Sequence, residues 1–249
     1  MSIIQIQNLT FAYPGSAHNV FANFNAIFDS DWRLGLVGRN GRGKTTLLRL
    51  LCGELMGSGE ILSSVRFSLF PYDIDLNLSA AACMRRAVAP FDQWEARMDS
   101  LLSDGSDAAL REWGEISQRY AEAGGYEIDA LIQREAGRLG MDPGELHRPM
   151  GSFSPGERTR LQIAALFLRK NHFLLIDEPT NHLDVGALQW LEEYLLGFPG
   201  GALVISHDRY FLDRVSTRIL ELKNATLTEF HGNYTNFLVQ KQVRTDFLD

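Results

Sequence analysis

Few cysteines, no long apolar run and no excess of positive charge mark this 249-residue chain. Its two cysteines, Cys52 and Cys83, read as parts of different helices without metal-ligand spacing, so neither a disulfide framework nor a zinc site is expected, and a reducing cytoplasm fits. No apolar stretch approaches the roughly 20 residues needed to cross a bilayer, and Met1 to Leu9 carries no basic n-region. Direct membrane insertion is therefore not expected. A formal net charge of −7 argues against holding nucleic acid by bulk electrostatics, although local arginine clusters could still meet RNA. Internal repeats and low-complexity tracts are missing too, which leaves an ordinary globular chain. Its 45% hydrophobic content suffices for one large domain or two lobes.

The richest stretch is Gly38-Arg39-Asn40-Gly41-Arg42-Gly43-Lys44-Thr45-Thr46, between the apolar run Leu34 to Val37 and the leucines from Leu47 to Leu51. It fits G-x-x-x-x-G-K-[ST], a P-loop between a strand and a helix. Glycines let the backbone curl around a polyphosphate, and the N–H groups from Asn40 to Thr46 form an anion nest at a helix N-terminus. Lys44 adds a mobile charge for the β- and γ-phosphates, Thr45 a hydroxyl for Mg²⁺, and Thr46 a group near the α-phosphate.

Upstream, Ile3 to Tyr13 and Val20 to Phe28 read as strands, with Pro14-Gly15 as a turn. Tyr13 either stacks on a base or packs as strand aromatics commonly do. After the P-loop helix, two short strands, Glu60 to Leu62 and Val65 to Phe70, end at Pro71-Tyr72. From Leu78 to Leu139 the composition turns helical, an inserted lobe with breaks expected at Ser106-Asp107 and Gly124-Gly125 and with Trp94 and Trp113 in its core.

Ser154-Pro155-Gly156-Glu157 has the spacing of a capping box, which by itself requires no functional reading. The apolar run from His172 to Ile176 ends in Asp177-Glu178. At the carboxyl end of a parallel strand these acids face a ligand crevice, where Asp177 reaches a metal shell and Glu178 an attacking water; the bland alternative is a solvated turn. Asp184 is a candidate N-cap for a helix from Val185 to Leu196. Ala202 to Ile205 is another strand, delivering His207 to the same edge, where it either caps, packs or catalyses. Arg218 to Leu222 and Thr226 to Phe230 read as an edge hairpin. The segment from Tyr234 to Asp249 reads as a helix without a terminating Gly or Pro.

In this order the motifs resemble an ABC ATPase nucleotide-binding domain, and more narrowly the N-terminal one of the ABC-F family. Gly38 to Thr45 corresponds to the P-loop, Phe153 to Glu157 to the signature motif, Phe173 to Glu178 to the acidic strand, Thr180 to Asp184 to the D-loop and His207 to the switch histidine. Tyr13 matches the adenine-stacking position. Glu178-Pro-Thr-Asn-His-Leu-Asp184 and Ser206-His-Asp-Arg-Tyr-Phe-Leu-Asp213 separate the resemblance from transporter subunits, the alternative reading. A third reading is an ATP-gated clamp with negligible hydrolysis.

The resemblance implies an α/β P-loop NTPase core with an N-terminal antiparallel β portion. The nucleotide-binding domain would span residues 1–232, with a helical subdomain at about 76–170, and residues 233–249 would start an interdomain linker helix. It implies Mg-dependent ATP hydrolysis with Thr45 and Asp177 on Mg²⁺, Glu178 and His207 as catalytic residues, and Tyr13 with Gly38 to Thr46 on ATP. Ser154, Gly156 and Glu157 would contact the nucleotide of a second such domain, on the same full-length chain or in a homodimer, and a cytoplasmic role on the ribosome follows, antibiotic-resistance protection included. Two positions depart from the pattern. Pro155 replaces the second glycine of the signature and removes an N–H, and Tyr72 stands at the Q-loop position, where an amide is expected.

Overall fold

The computed structural model describes residues 3–181 and 183–246. Strand β1 (Ile3–Phe11) pairs antiparallel with β2 (Phe21–Asp29), and its buried residues change parity from Ile4 and Ile6 to Leu9 and Phe11. A bulge makes that change possible. One residue without a partner shifts the two-residue alternation, and it falls where Asn8 takes φ 52°, a left-handed value that asparagine tolerates. Asn23 does the same on β2, with φ 53° and its N–H donating to Thr10 Oγ1 at 2.9 Å. Next come β3 (Arg33–Val37), α1 (Lys44–Leu51), β4 (Ser58–Leu62) and β5 (Arg66–Phe70). Helix α1 buries Leu47, Leu48, Leu50 and Leu51, and Gly53 at φ 76° provides the left-handed stop that glycine accepts.

Residues Tyr72–Lys170 form one compact unit. Its helices are α2 (Ala80–Val88), α3 (Phe91–Asp104), α4 (Asp107–Glu122), α5 (Ile128–Arg138) and α6 (Pro155–Phe167). Ser79, Ser106 and Ser154 cap α2, α4 and α6 by accepting N–H bonds from Ala82, Ala109 and Glu157. The expected breaks at Ser106-Asp107 and Gly124-Gly125 are present. A further one separates α2 from α3, where Ala89 is extended at φ −161°, ψ 165° because the ring of Pro90 excludes a helical residue before it. Trp94 and Trp113 pack with Met98 against Leu101, Ala109 and Ile116 as expected.

The other unit takes in Met1–Pro71 and Asn171–Asp249. Its second part holds β6 (His172–Asp177), α7 (Val185–Gly197), β7 (Ala202–Ile205), α8 (Arg209–Val215), β8 (Arg218–Lys223), β9 (Thr226–His231) and α9 (Tyr234–Asp246). The larger sheet runs β5-β6-β7-β3-β8-β9, parallel throughout except for the edge strand β9, while β2-β1-β4 form a separate antiparallel sheet. Residues 173–176 and 202–205 are all buried, the continuous apolar pattern of strands covered on both faces. One core joins the two sheets through α1: Ile4, Phe24 and Phe28 belong to the same cluster as Leu48, Phe173 and Leu203. Each such side chain contributes on the order of 1.5–3 kcal/mol when fully buried. The carboxyl ends of β3, β6 and β7 lie side by side, and the motifs follow directly from them.

Candidate functional site

The glycine loop leaves β3 and enters α1 without a side-chain cap, so the first N–H groups of the helix have no side-chain partner at its N-terminus. Gly43 sits at φ 94°, and a Cβ there would lie 2.6 Å from Val20 Cγ1 and 3.1 Å from Phe21 Cζ. The packing of the strand sheet under the loop therefore admits only glycine. Gly38 is equally tight, since its Cβ would come 2.6 Å from the Leu222 carbonyl oxygen. Lys44 Nζ donates to the carbonyls of Gly38 at 2.9 Å and Arg39 at 3.5 Å, which folds its ammonium back over the loop.

The loop meets the strand ends through side chains. Thr45 Oγ1 donates to Asp177 Oδ2 at 2.6 Å, although the two residues are 132 positions apart. Tyr13, 41% exposed, bonds through its hydroxyl to Thr46 Oγ1 at 3.0 Å and rests edge-on against Phe11. Glu178 follows at φ 49°, an unusual left-handed value for a residue with a Cβ. Its N–H donates to Ile205 O at 2.8 Å, and its Oε2 accepts from the His207 N–H at 3.1 Å. Oε1 lies 3.5 Å from His207 Nε2 but has no hydrogen-bond partner among the described residues, even though that atom is buried.

These groups enclose a cavity of about 440 Å³, lined by Tyr13, Val20, Asn40, Gly41, Gly43, Lys44, Thr45, Thr46, Asp177, Glu178, Ile205 and His207. Gly38, Arg39 and Arg42 belong to the loop but are not among its lining residues; Arg39 contributes its carbonyl, which holds Lys44 and the Arg42 N–H. Val20 and Ile205 line it without having been marked by the sequence. Both read as strand apolar residues there, and nothing local distinguishes a valine that lines a cavity from one that packs a core.

Asp184 caps α7, its Oδ1 accepting from Ala187 N at 2.7 Å, as the sequence predicts for an N-cap. His182, part of the motif between Glu178 and Asp184, lies outside the described residues, as do residues 247–249. In the helical unit, Ser154 and Glu157 complete the capping box: Glu157 N donates to Ser154 Oγ at 3.3 Å and Ser154 N to Glu157 Oε2 at 2.8 Å. Hydrogen bonding of the carboxylate to the Ser154 hydroxyl, and then to the Ser154 N–H, holds the Glu157 carboxyl below the usual carboxylate range. Gly156, in the first turn between them, is half-buried. Tyr72 donates its hydroxyl to Gln162 O at 3.2 Å while Gln162 Nε2 donates to Tyr72 O at 2.9 Å, and burial pushes the phenol pKa far up, keeping it a donor.

The sequence profile of the family described as "ABC transporter" matches residues 21–181. The putative ATP-binding protein YdiF of Bacillus subtilis is 32% identical over 253 residues, covering 97% of this chain and 39% of that protein. The energy-dependent translational throttle protein EttA of Mycobacterium tuberculosis is 31% identical over 221 residues, covering 85% of the chain and again 39% of the relative. The chain thus spans about two fifths of the length of these curated relatives. A solved structure described as that of an ATP-binding subunit of an ABC transporter superposes with TM-score 0.65 at 20% identity, covering 92% of this chain and 90% of its own. That likeness speaks for the α/β fold.

Proposed function

The chain belongs to the ABC transporter family, as an ATPase domain of the ABC-F type, and from that premise we propose that the cavity binds Mg-ATP and hydrolyses it to ADP and phosphate. One observation carries this reading. The 2.6 Å bond from Thr45 to Asp177 closes the glycine loop against the acidic strand end, which brings a polyphosphate cradle and two carboxylates into one cavity. Its volume lies in the range of roughly 300–1,000 Å³ typical of small-ligand sites.

The loop amides and Lys44 hold the phosphates, and Tyr13 offers its ring to the base. The Thr45 hydroxyl and Asp177 carboxylate are adjacent hard oxygen donors, which suits Mg²⁺, an ion that keeps waters and phosphate oxygens in most of its positions. When bound there, the ion neutralises charge on the phosphates. Glu178 Oε1, the carboxylate oxygen without a hydrogen-bond partner among the described residues, takes the proton of the attacking water, and the exposed His207 ring contacts the γ-phosphate and senses its loss.

Ser154, Gly156 and Glu157 are assigned to the nucleotide of a second such domain, which the greater length of the relatives supports. Asp184, the N-cap of α7, is assigned to the D-loop. A role in translation, on the ribosome and in the cytoplasm, rests on the relative named a translational throttle and on the lack of any described helix long and apolar enough to cross a membrane. Calorimetric titration with Mg-ATP tests the site. Lys44→Ala is expected to weaken binding about 100-fold or more by deleting a charge-assisted contact, and unchanged affinity in a folded variant refutes the assignment. ATP-dependent co-sedimentation with ribosomes tests the translational role, and a chain that stays in the supernatant with ATP bound contradicts it.

A further inference from the structure

Glu178 occupies a backbone conformation that a non-glycine residue keeps only where its surroundings over-determine it. The residues responsible are three successive positions at the end of β7. Ile205 accepts the Glu178 N–H through its carbonyl at 2.8 Å, and His207 donates its N–H to Glu178 Oε2 at 3.1 Å. Between them Ser206, only 8% exposed, places its hydroxyl 3.2 Å from that of Thr180, two residues beyond Glu178. Ser206 Oγ also accepts the N–H of Asp208 at 3.0 Å, and Asp208 in turn caps α8 through bonds from Tyr210 and Phe211.

We propose that Ser206 and Thr180 are positioning residues, a side-chain joint that fixes the carboxylate of Glu178 relative to His207 for the attack of water. The inference rests on the reading of this cavity as an ATPase site. Its logic is chemical. Ser206 Oγ accepts from the Asp208 N–H and shares a second hydrogen bond with Thr180 Oγ1, in which either hydroxyl can donate, so one hydroxyl ties both strand-end loops together. The bonds from Ile205 and His207 use main-chain groups that substitution leaves in place. Ser206 with Thr180 is the part of the clamp made of side chains on both sides. Without it, the turn through Pro179 keeps its main-chain bond from Asn181 N–H to the Glu178 carbonyl at 3.4 Å but loses its side-chain tie to the end of β7.

The test uses the full chain in single-turnover hydrolysis of labelled ATP, calorimetry, and hydrogen exchange of individual amides. Ser206→Ala is expected to slow hydrolysis about tenfold while ATP affinity stays within about twofold, and to speed exchange of the Glu178 and His207 amides by about tenfold with β3 amides unchanged. Thr180→Ser, which keeps the hydroxyl, is expected to match the parent chain. In a Glu178→Gln background Ser206→Ala is expected to add no further loss of rate, because the carboxylate it positions is gone. A rate for Ser206→Ala within twofold of the parent, or the same tenfold loss in the Glu178→Gln background, overturns the proposal. So does unaltered exchange at Glu178, a readout that stands apart from turnover. A chain that binds no ATP at all would instead overturn the assignment of the cavity, and that outcome is seen in the calorimetry of the parent alone.

Discussion

The two walls of the cavity are built on different principles. On the loop wall, which the Gly38–Thr46 loop supplies through Asn40, Gly41 and Gly43 to Thr46, the backbone is the proposed binding group and the sequence is dictated by what cannot fit: a Cβ at Gly43 would strike Val20 and Phe21, and one at Gly38 the carbonyl of Leu222. On the acid wall, made by Asp177, Glu178 and His207, side chains are the proposed functional groups, and they are held by hydrogen bonds from neighbouring loops, with Glu178 in a conformation that its own type disfavours. Steric exclusion leaves a rigid spacing in the sequence. Hydrogen-bonded clamping leaves scattered serines and threonines that look like any loop.

The comparison breaks most sharply if the acid wall is dispensable for turnover. Glu178→Gln keeps the shape and the Oε2-type acceptor toward His207 N–H but has no carboxylate to take a proton. Hydrolysis is expected to fall by about 10²-fold or more while Mg-ATP affinity remains near the parent value. Rapid-quench turnover alongside calorimetry checks it. Turnover near the parent rate would move the general base to another residue and leave the acid wall a mere metal-side support.

The loop wall is sharpened by Gly43→Ala. The new Cβ meets Val20 Cγ1 at 2.6 Å in a residue already at φ 94°, so the β1–β2 sheet or the loop must give way. Stability is expected to fall by about 1–3 kcal/mol, with a drop in ATP affinity of about tenfold or more as the amides lose their convergence. Thermal melting and titration of the same sample read both. A loss of affinity without a loss of stability would mean that the loop is not tensioned by the strands beneath it.

The difference between the walls also explains what could be read from residues alone. The glycine loop, the capping box at Ser154 and the covered strands at Phe173 and Leu203 follow from local rules, and the structure has them. The break at Pro90 obeys a local rule as well, yet the helical composition on both sides hides it. Asn8, Asn23 and Glu178 at positive φ, and the contact of Val20 with the cavity, depend on partners far along the chain, such as Asn25 for Asn8 and Ile205 for Glu178. No spacing announces them. Tyr72 shows the limit most clearly: its type departs from the expected amide, and only the structure reveals that its hydroxyl and carbonyl are both engaged with Gln162.

The smallest expected effect concerns Ser154 of the helical unit, where two roles make different demands. As the N-cap of α6 it accepts the Glu157 N–H, so Ser154→Ala is expected to cost about 1 kcal/mol of stability whatever it does for a nucleotide. The cap also has a pH signature. Bonds from Ser154 hold the Glu157 carboxyl below its unfolded value, so the ionised cap stabilises the helix above roughly pH 4.3, the ordinary glutamate value, and that contribution is lost as pH falls through the depressed folded pKa. Exchange of the first-turn amides of α6, followed from pH 7 downward, is expected to accelerate beyond its intrinsic pH dependence in the parent chain and less so in Ser154→Ala. If Ser154 also completes the site of a second domain, the substitution leaves ATP affinity of this chain alone unchanged yet lowers turnover wherever turnover per chain rises with protein concentration. Turnover that is fast, independent of concentration and indifferent to Ser154→Ala would leave the residue a helix cap and nothing more, and the two walls described above would be a complete site.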